Sequence, residues 1–78
     1  MKVTVRLHTI LQRKVRGGKR KMEIKLIEGS RVLDLVEHLE LGVDPTMLLY
    51  AVNGRFAEMD QQLEDGDVVN LMVAISGG

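Results

Sequence analysis

Only one stretch of this chain repeats its apolar residues at helical spacing. Val32, Leu35, Val36 and Leu39 recur every three or four positions, with Leu33 on the flank and Asp34, Glu37, His38 and Glu40 on the wetter side. That pattern makes one amphipathic helix with a broad apolar stripe. Ser30 is a good N-cap, Gly42 suits the helix end, and Asp44-Pro45 forbids continuation. A lone helix has no second helix on which to bury its stripe. The rest of the chain must therefore supply a sheet for it to lie across.

The remaining patterned segments alternate with period two. Val3, Val5 and Leu7 alternate with Lys2, Thr4, Arg6 and His8, which makes a half-buried strand. Met22, Ile24 and Leu26 alternate with Glu23 and Lys25, giving a second strand. A turn at Arg16-Gly17-Gly18-Lys19 lets it pair antiparallel with the first. Thr9 to Val15 fits either a continued hairpin or one or two helical turns capped by Thr9. Leu48 to Asn53 reads as a third strand closed by the Asn53-Gly54 turn. Arg55 to Leu63 is irregular, with room for a short edge strand near Phe56. Asp65-Gly66-Asp67 forms another tight turn, and Val68 to Ile75 is the final strand. The order departs from regular βαβ alternation. It implies an α+β fold: a mixed, four- to five-stranded sheet with one main helix packed on one face.

Seventy-eight residues make a single domain. Residues 1–74 are expected to form its body and residues 75–78 a flexible tail. With 45% hydrophobic and 28% charged residues, the balance is that of a globular chain. There are no cysteines, so neither disulfides nor thiolate zinc ligation can staple it. The N-terminal alternation has no apolar signal core, and no stretch approaches the ~20 residues of a membrane span. A cytoplasmic location, with no membrane partner, is the resulting expectation.

Charge is balanced but lopsided. Ten of the eleven basic residues fall within the first 31 positions, and nine of the eleven acidic residues follow. The most basic stretch, Arg13 to Lys21, suits a solvated hairpin tip, with contact to an acidic partner as a second reading. A nucleic-acid grip is disfavoured, because Tyr50 and Phe56 are the only aromatic residues and neither is near it. His8 and His38 lack paired spacing, and Asp60, Asp65 and Asp67 lack the ligand order of a calcium loop. No metal site and no catalytic group are expected.

The final strand leads straight into Ser76-Gly77-Gly78. Glycine is the costliest residue to order, so a glycine pair adds little to folding. A rigid body with a thin, reachable end is the functional reading; an ordinary frayed terminus is the plain one. Alternation along the neighbouring strands sends Leu48, Tyr50, Val52, Val69, Leu71 and Val73 inward. It sends Leu49, Ala51, Met72 and Ala74 outward. An apolar set on the uncovered face suggests a docking patch, and methionine suits an adaptable interface.

Leu49 to Gly54 (LYAVNG), Leu63 to Val68 (LEDGDV) and the closing Ser76-Gly77-Gly78 occur here in one order. In that order they resemble the ubiquitin-like β-grasp sulfur carriers of the MoaD/ThiS family. The likeness covers the whole chain, is thin between Arg13 and Lys21, and is closer to the molybdopterin synthase small subunit. His8 stands where that type usually carries an aromatic residue.

The resemblance implies a non-enzymatic co-substrate. A ubiquitin-activating-type enzyme would adenylate Gly78 with ATP. A sulfur-donor protein would then convert the adenylate to a thiocarboxylate for molybdopterin, tungstopterin or thiamin synthesis. Ser76 and Gly77 would thread the partner's channel, no cofactor would be bound, and a large synthase subunit is a further possible partner. It also implies docking through the open sheet face. Two alternatives stay open: a ubiquitin-like modifier conjugated through Gly78, and a non-catalytic RNA- or protein-binding module.

Overall fold

The structure, a computed structural model, describes residues 1–8, 11 and 20–74. Strand β1 (Lys2–Leu7) pairs antiparallel with β2 (Lys21–Lys25), with Val3 opposite Ile24 and Val5 opposite Met22. Helix α1 (Val32–Leu39) follows, then a 3-10 turn at Pro45–Met47. Strands β3 (Leu48–Val52) and β4 (Arg55–Ala57) form a hairpin. Strand β5 (Val68–Val73) runs parallel to β1 and antiparallel to β3. The sheet order is β2-β1-β5-β3-β4, so the last strand occupies the centre.

One face of this mixed sheet carries the core. Val3, Val5, Leu7, Leu48, Tyr50, Val52, Val69 and Leu71 are buried there with Val32, Leu35 and Val36 of the helix. The predicted helical stripe and the predicted inward set both hold, except that Leu39 at the helix end and Val73 at the end of β5 are only half-buried. Leu11 is fully buried in the same core, and its N–H donates to the His8 carbonyl at 3.2 Å. The rest of Thr9 to Val15, the Arg16–Lys19 turn and the Arg13–Lys19 part of the basic stretch lie outside the described residues, as do Ile75, Ser76, Gly77 and Gly78.

The helix start differs from the expectation. Arg31, rather than Ser30, occupies the N-cap position, and its N–H donates to the Asp34 carboxylate at 2.7 Å. Ser30 is buried, with its hydroxyl donating to the Ile27 carbonyl. The reason is tertiary. Val32 N–H and Leu33 N–H donate to the carbonyls of Gln61 and Met59, each at 2.9 Å. The irregular 58–62 stretch thus satisfies helix donors that a side-chain cap would otherwise take. The helix also stops sooner than expected. Glu40 adopts a left-handed backbone (φ 51°), and Gly42 lies beyond the cap.

The described turns at Asn53-Gly54 and Asp65-Gly66 follow the sequence. Asn53 and Gly54 both have positive φ, 52° and 84°, as a two-residue hairpin of this hand requires. The edge strand expected near Phe56 is β4.

Candidate functional site

Strand β5 is the platform for whatever follows it. It is hydrogen-bonded along both edges, and Val69 and Leu71 are fully buried. Its regular pairing ends at Val73. The next N–H, from Ala74, donates to the Met47 carbonyl at 2.8 Å. The backbone just past β5 is therefore tied to the 3-10 turn.

That turn is itself braced. Asp44 Oδ1 accepts from Thr46 N–H at 2.9 Å and from Thr46 Oγ1 at 2.8 Å. These two bonds stabilise the carboxylate and hold its pKa below the usual value. The Tyr50 hydroxyl donates to the Pro45 carbonyl. Burial, reinforced by the nearby Asp44 charge, pushes the Tyr50 pKa up. A phenol that stays neutral remains a donor, so the turn stays fastened to β3.

The two internal motifs behind the sequence resemblance meet in space. Asn53 Oδ1 accepts from Val68 N–H at 2.9 Å, and Asn53 Nδ2 donates to Asp67 Oδ1 at 2.9 Å. Asp67 Oδ2 also accepts from Glu64 N–H at 2.8 Å, and the Asp67 carbonyl accepts from Thr4 N–H at 2.9 Å. Together these bonds pin the β3–β4 hairpin and the start of β1 to the residue preceding β5. The two motifs thus anchor β5.

No described element covers the face of the sheet away from the helix. Leu49 sits opposite Met72 across β3 and β5. Leu49 is 44% exposed, while Ala51, Met72 and Ala74 are half-buried. Leu49, Ala51 and Met72, expected outward, thus lie on the side away from the core, and Ala74 follows the end of β5. Two further residues belong with them. Phe56 is 78% exposed and sits directly opposite Ala51, and Met47, 52% exposed, adjoins the Ala74 tether. Phe56 had a signal in the sequence. A two-residue turn at Asn53-Gly54 makes Val52 face Arg55 and hence Ala51 face Phe56. Met47 had none, because its place depends on the 3-10 turn. At the inner border of this apolar area, His8 Nε2 is hydrogen-bonded to Asn70 Oδ1 at 2.9 Å.

Among the described residues no group of three His, Asp or Glu side chains is placed to hold a metal ion, and no helix is long and apolar enough to cross a membrane. What the arrangement offers is a fixed strand end beside an apolar platform.

Residues 5–78 match the ThiS family model. No curated protein sequence matches the chain. Among solved structures, a candidate molybdopterin converting factor subunit 1 from Pyrococcus furiosus is 31% identical, with 96% of this chain and 99% of that one covered and a TM-score of 0.79. A chain of the Amycolatopsis orientalis BexX/CysO complex is 25% identical, with 97% and 99% covered and a TM-score of 0.72. SAMP1 from Haloferax volcanii shares the fold, with a TM-score of 0.79 over 100% of both chains at 16% identity. The fold is the ubiquitin-like β-grasp, and the chain belongs to the ThiS family of small carrier proteins.

Proposed function

We propose that this protein is a sulfur carrier whose reactive group is the Gly78 carboxylate. In this reading the carboxylate oxygen attacks the α-phosphorus of ATP on a ubiquitin-activating-type enzyme and releases pyrophosphate. A sulfide equivalent delivered by a sulfur-donor protein adds at the Gly78 carbonyl carbon, and AMP departs. The resulting thiocarboxylate donates sulfur to a biosynthetic acceptor in the cytoplasm, where ATP is at hand. The carrier brings no catalytic group or cofactor of its own. It supplies an acyl end slim enough, through Ser76, Gly77 and Gly78, for a partner's channel, and the partner supplies the reaction geometry.

The observation that carries this reading is the ThiS-family match, which runs through to residue 78 on a fold whose last strand is held at the sheet centre. Leu49, Ala51, Met72 and Ala74, extended by Phe56, form the docking platform for the activating enzyme. The 31% identity to a candidate molybdopterin converting factor subunit favours molybdopterin or tungstopterin synthesis over thiamin synthesis. A large synthase subunit is then the expected recipient.

Intact-mass analysis of the chain purified from its own cells tests the proposal. A gain equal to the sulfur–oxygen mass difference, confined to the C-terminal glycine peptide, is expected. Recovery of Gly78 in isopeptide linkage to lysines, with no thiocarboxylate, would make the protein a modifier instead. Deleting Gly78 should abolish pathway output while leaving the fold intact.

A further inference from the structure

The open face is not uniformly apolar. Its β1–β2 half carries Lys2, Thr4 and Arg6 on one strand and Lys21, Glu23 and Lys25 on the other. The register places Lys2 directly opposite Lys25 and Arg6 directly opposite Lys21. Side chains so paired have Cβ atoms about 4.5–5.5 Å apart, and like charges in that position destabilise a sheet. Glu23 is the single carboxylate on this half, and its 3.2 Å contact goes to Lys2. All five charged side chains belong to exposed residues.

Edge protection accounts for part of this pattern. β2 is an edge strand, and lysines on an edge discourage strand-to-strand aggregation. It does not account for Arg6, which lies between Lys21 of β2 and Asn70 of β5. Lys2 has its contact with Glu23, but among the described residues neither Arg6 nor Lys21 has a carboxylate in ion-pair contact, and a carboxylate at position 6 would turn the like pair into an opposite one. A like-charge pair left uncompensated there points to a compensating group outside the chain.

We propose that this cationic half seats an acidic patch on the protein partner that grips the apolar half. The proposal deepens the reading above and rests on it. The two halves share one face and meet at the row in which Arg6 adjoins Asn70 and Asn70 adjoins Ala51. A single flat partner surface therefore covers both, apolar beneath Leu49, Phe56 and Met72, anionic beneath Arg6, Lys21 and Lys25. A nucleic acid fits less well. Phe56, the only aromatic residue exposed on this face, is across the sheet from the cations, so bases lack a stacking platform beside the charge. Partner charges there would steer encounter and fix register more than they would tighten the complex.

The test uses the full-length chain and its purified adenylating enzyme, with ATP–pyrophosphate exchange as readout. For the wild type, KM should rise at least tenfold between about 0.01 M and about 1 M salt, over which the Debye length falls from about 30 Å to about 3 Å. R6E and K21E each turn a like pair into an opposite pair. Each should raise the thermal midpoint by a few degrees while raising KM roughly tenfold at low salt, with kcat unchanged. The double variant R6E/K21E restores repulsion with reversed sign, so its midpoint should fall back while KM rises further.

A wild-type KM indifferent to salt, together with unchanged KM in both single variants, overturns this proposal and leaves the activation reading standing. Tight binding of a fluorescent single-stranded oligonucleotide, lost in K21E, also overturns it. Absence of any exchange with the wild type overturns the activation reading, and this proposal with it.

Discussion

The two faces of the sheet obey different rules. On the covered face the central positions are fixed by packing: Val3, Val5 and Leu7, then Val69 and Leu71, then Leu48, Tyr50 and Val52 meet Val32, Leu35 and Val36. On the open face packing asks for little, yet the residues are not a neutral polar scatter. They divide into an apolar half on β3–β5 and a cationic half on β1–β2. That division is what the proposed docking of one protein partner across both halves would require.

That contrast can be broken by substitution, beginning where the effect on stability is largest. Leu35 is fully buried, so Leu35→Ala should cost about 2–5 kcal/mol in a denaturant titration. A loss below about 1 kcal/mol would mean the helix stripe is not what limits the core. Next comes the network behind β5. Asp67→Ala strips the acceptor from Asn53 and from Glu64 N–H, and should cost about 1–3 kcal/mol. Combined with Asn53→Ala the losses should be distinctly less than additive, because the two side chains share a bond. Strict additivity would show that the two motifs do not act as one anchor.

On the open face the balance should invert. Phe56→Ala and Leu49→Ala should each shift stability by no more than about 1 kcal/mol, as solvent-facing strand positions do. Each should nevertheless raise KM for the activating partner about tenfold or more, as loss of an interface anchor does. Unchanged KM in both would remove the apolar half from the docking surface.

The smallest expected effect is at Tyr50. Its pKa is raised on folding, so its contribution to stability is complete below about pH 10 and declines as pH climbs toward the folded value. Tyr50→Phe should flatten that alkaline decline, with a loss of about 0.5–1.5 kcal/mol near neutrality from the missing hydrogen bond to Pro45. The check is a series of thermal midpoints across the alkaline range. An identical alkaline slope in the variant would mean the phenol is not held neutral by the fold.

Much of the covered face could be read in advance because its information is local. Alternation in Lys2–Leu7 and Leu48–Val52 and helical spacing in Val32–Leu39 are periodic signals carried by neighbours in sequence. The misread cap at Ser30 had a different origin. Helix donors at Val32 and Leu33 are satisfied by Gln61 and Met59, nearly thirty positions on, and no local pattern announces such a bond. The parallel meeting of β1 with β5 was likewise hidden, since a crossover pairing leaves no trace in either strand. At the candidate site the facing of Leu49, Ala51, Met72 and Ala74 followed from alternation. Phe56 is fixed opposite Ala51 by the turn length at Asn53-Gly54, whereas the opposed cations depend on the β1–β2 register, which no local pattern carries.

The central position of β5 has a mechanical consequence. Traction applied where the strand exits, by a machine that grips and pulls, meets a ladder with β1 on one flank and a ladder with β3 on the other. Neither can be opened one rung at a time from that direction; both must slip together under load. A body that holds its last strand in this manner resists unravelling by traction on the chain that follows β5.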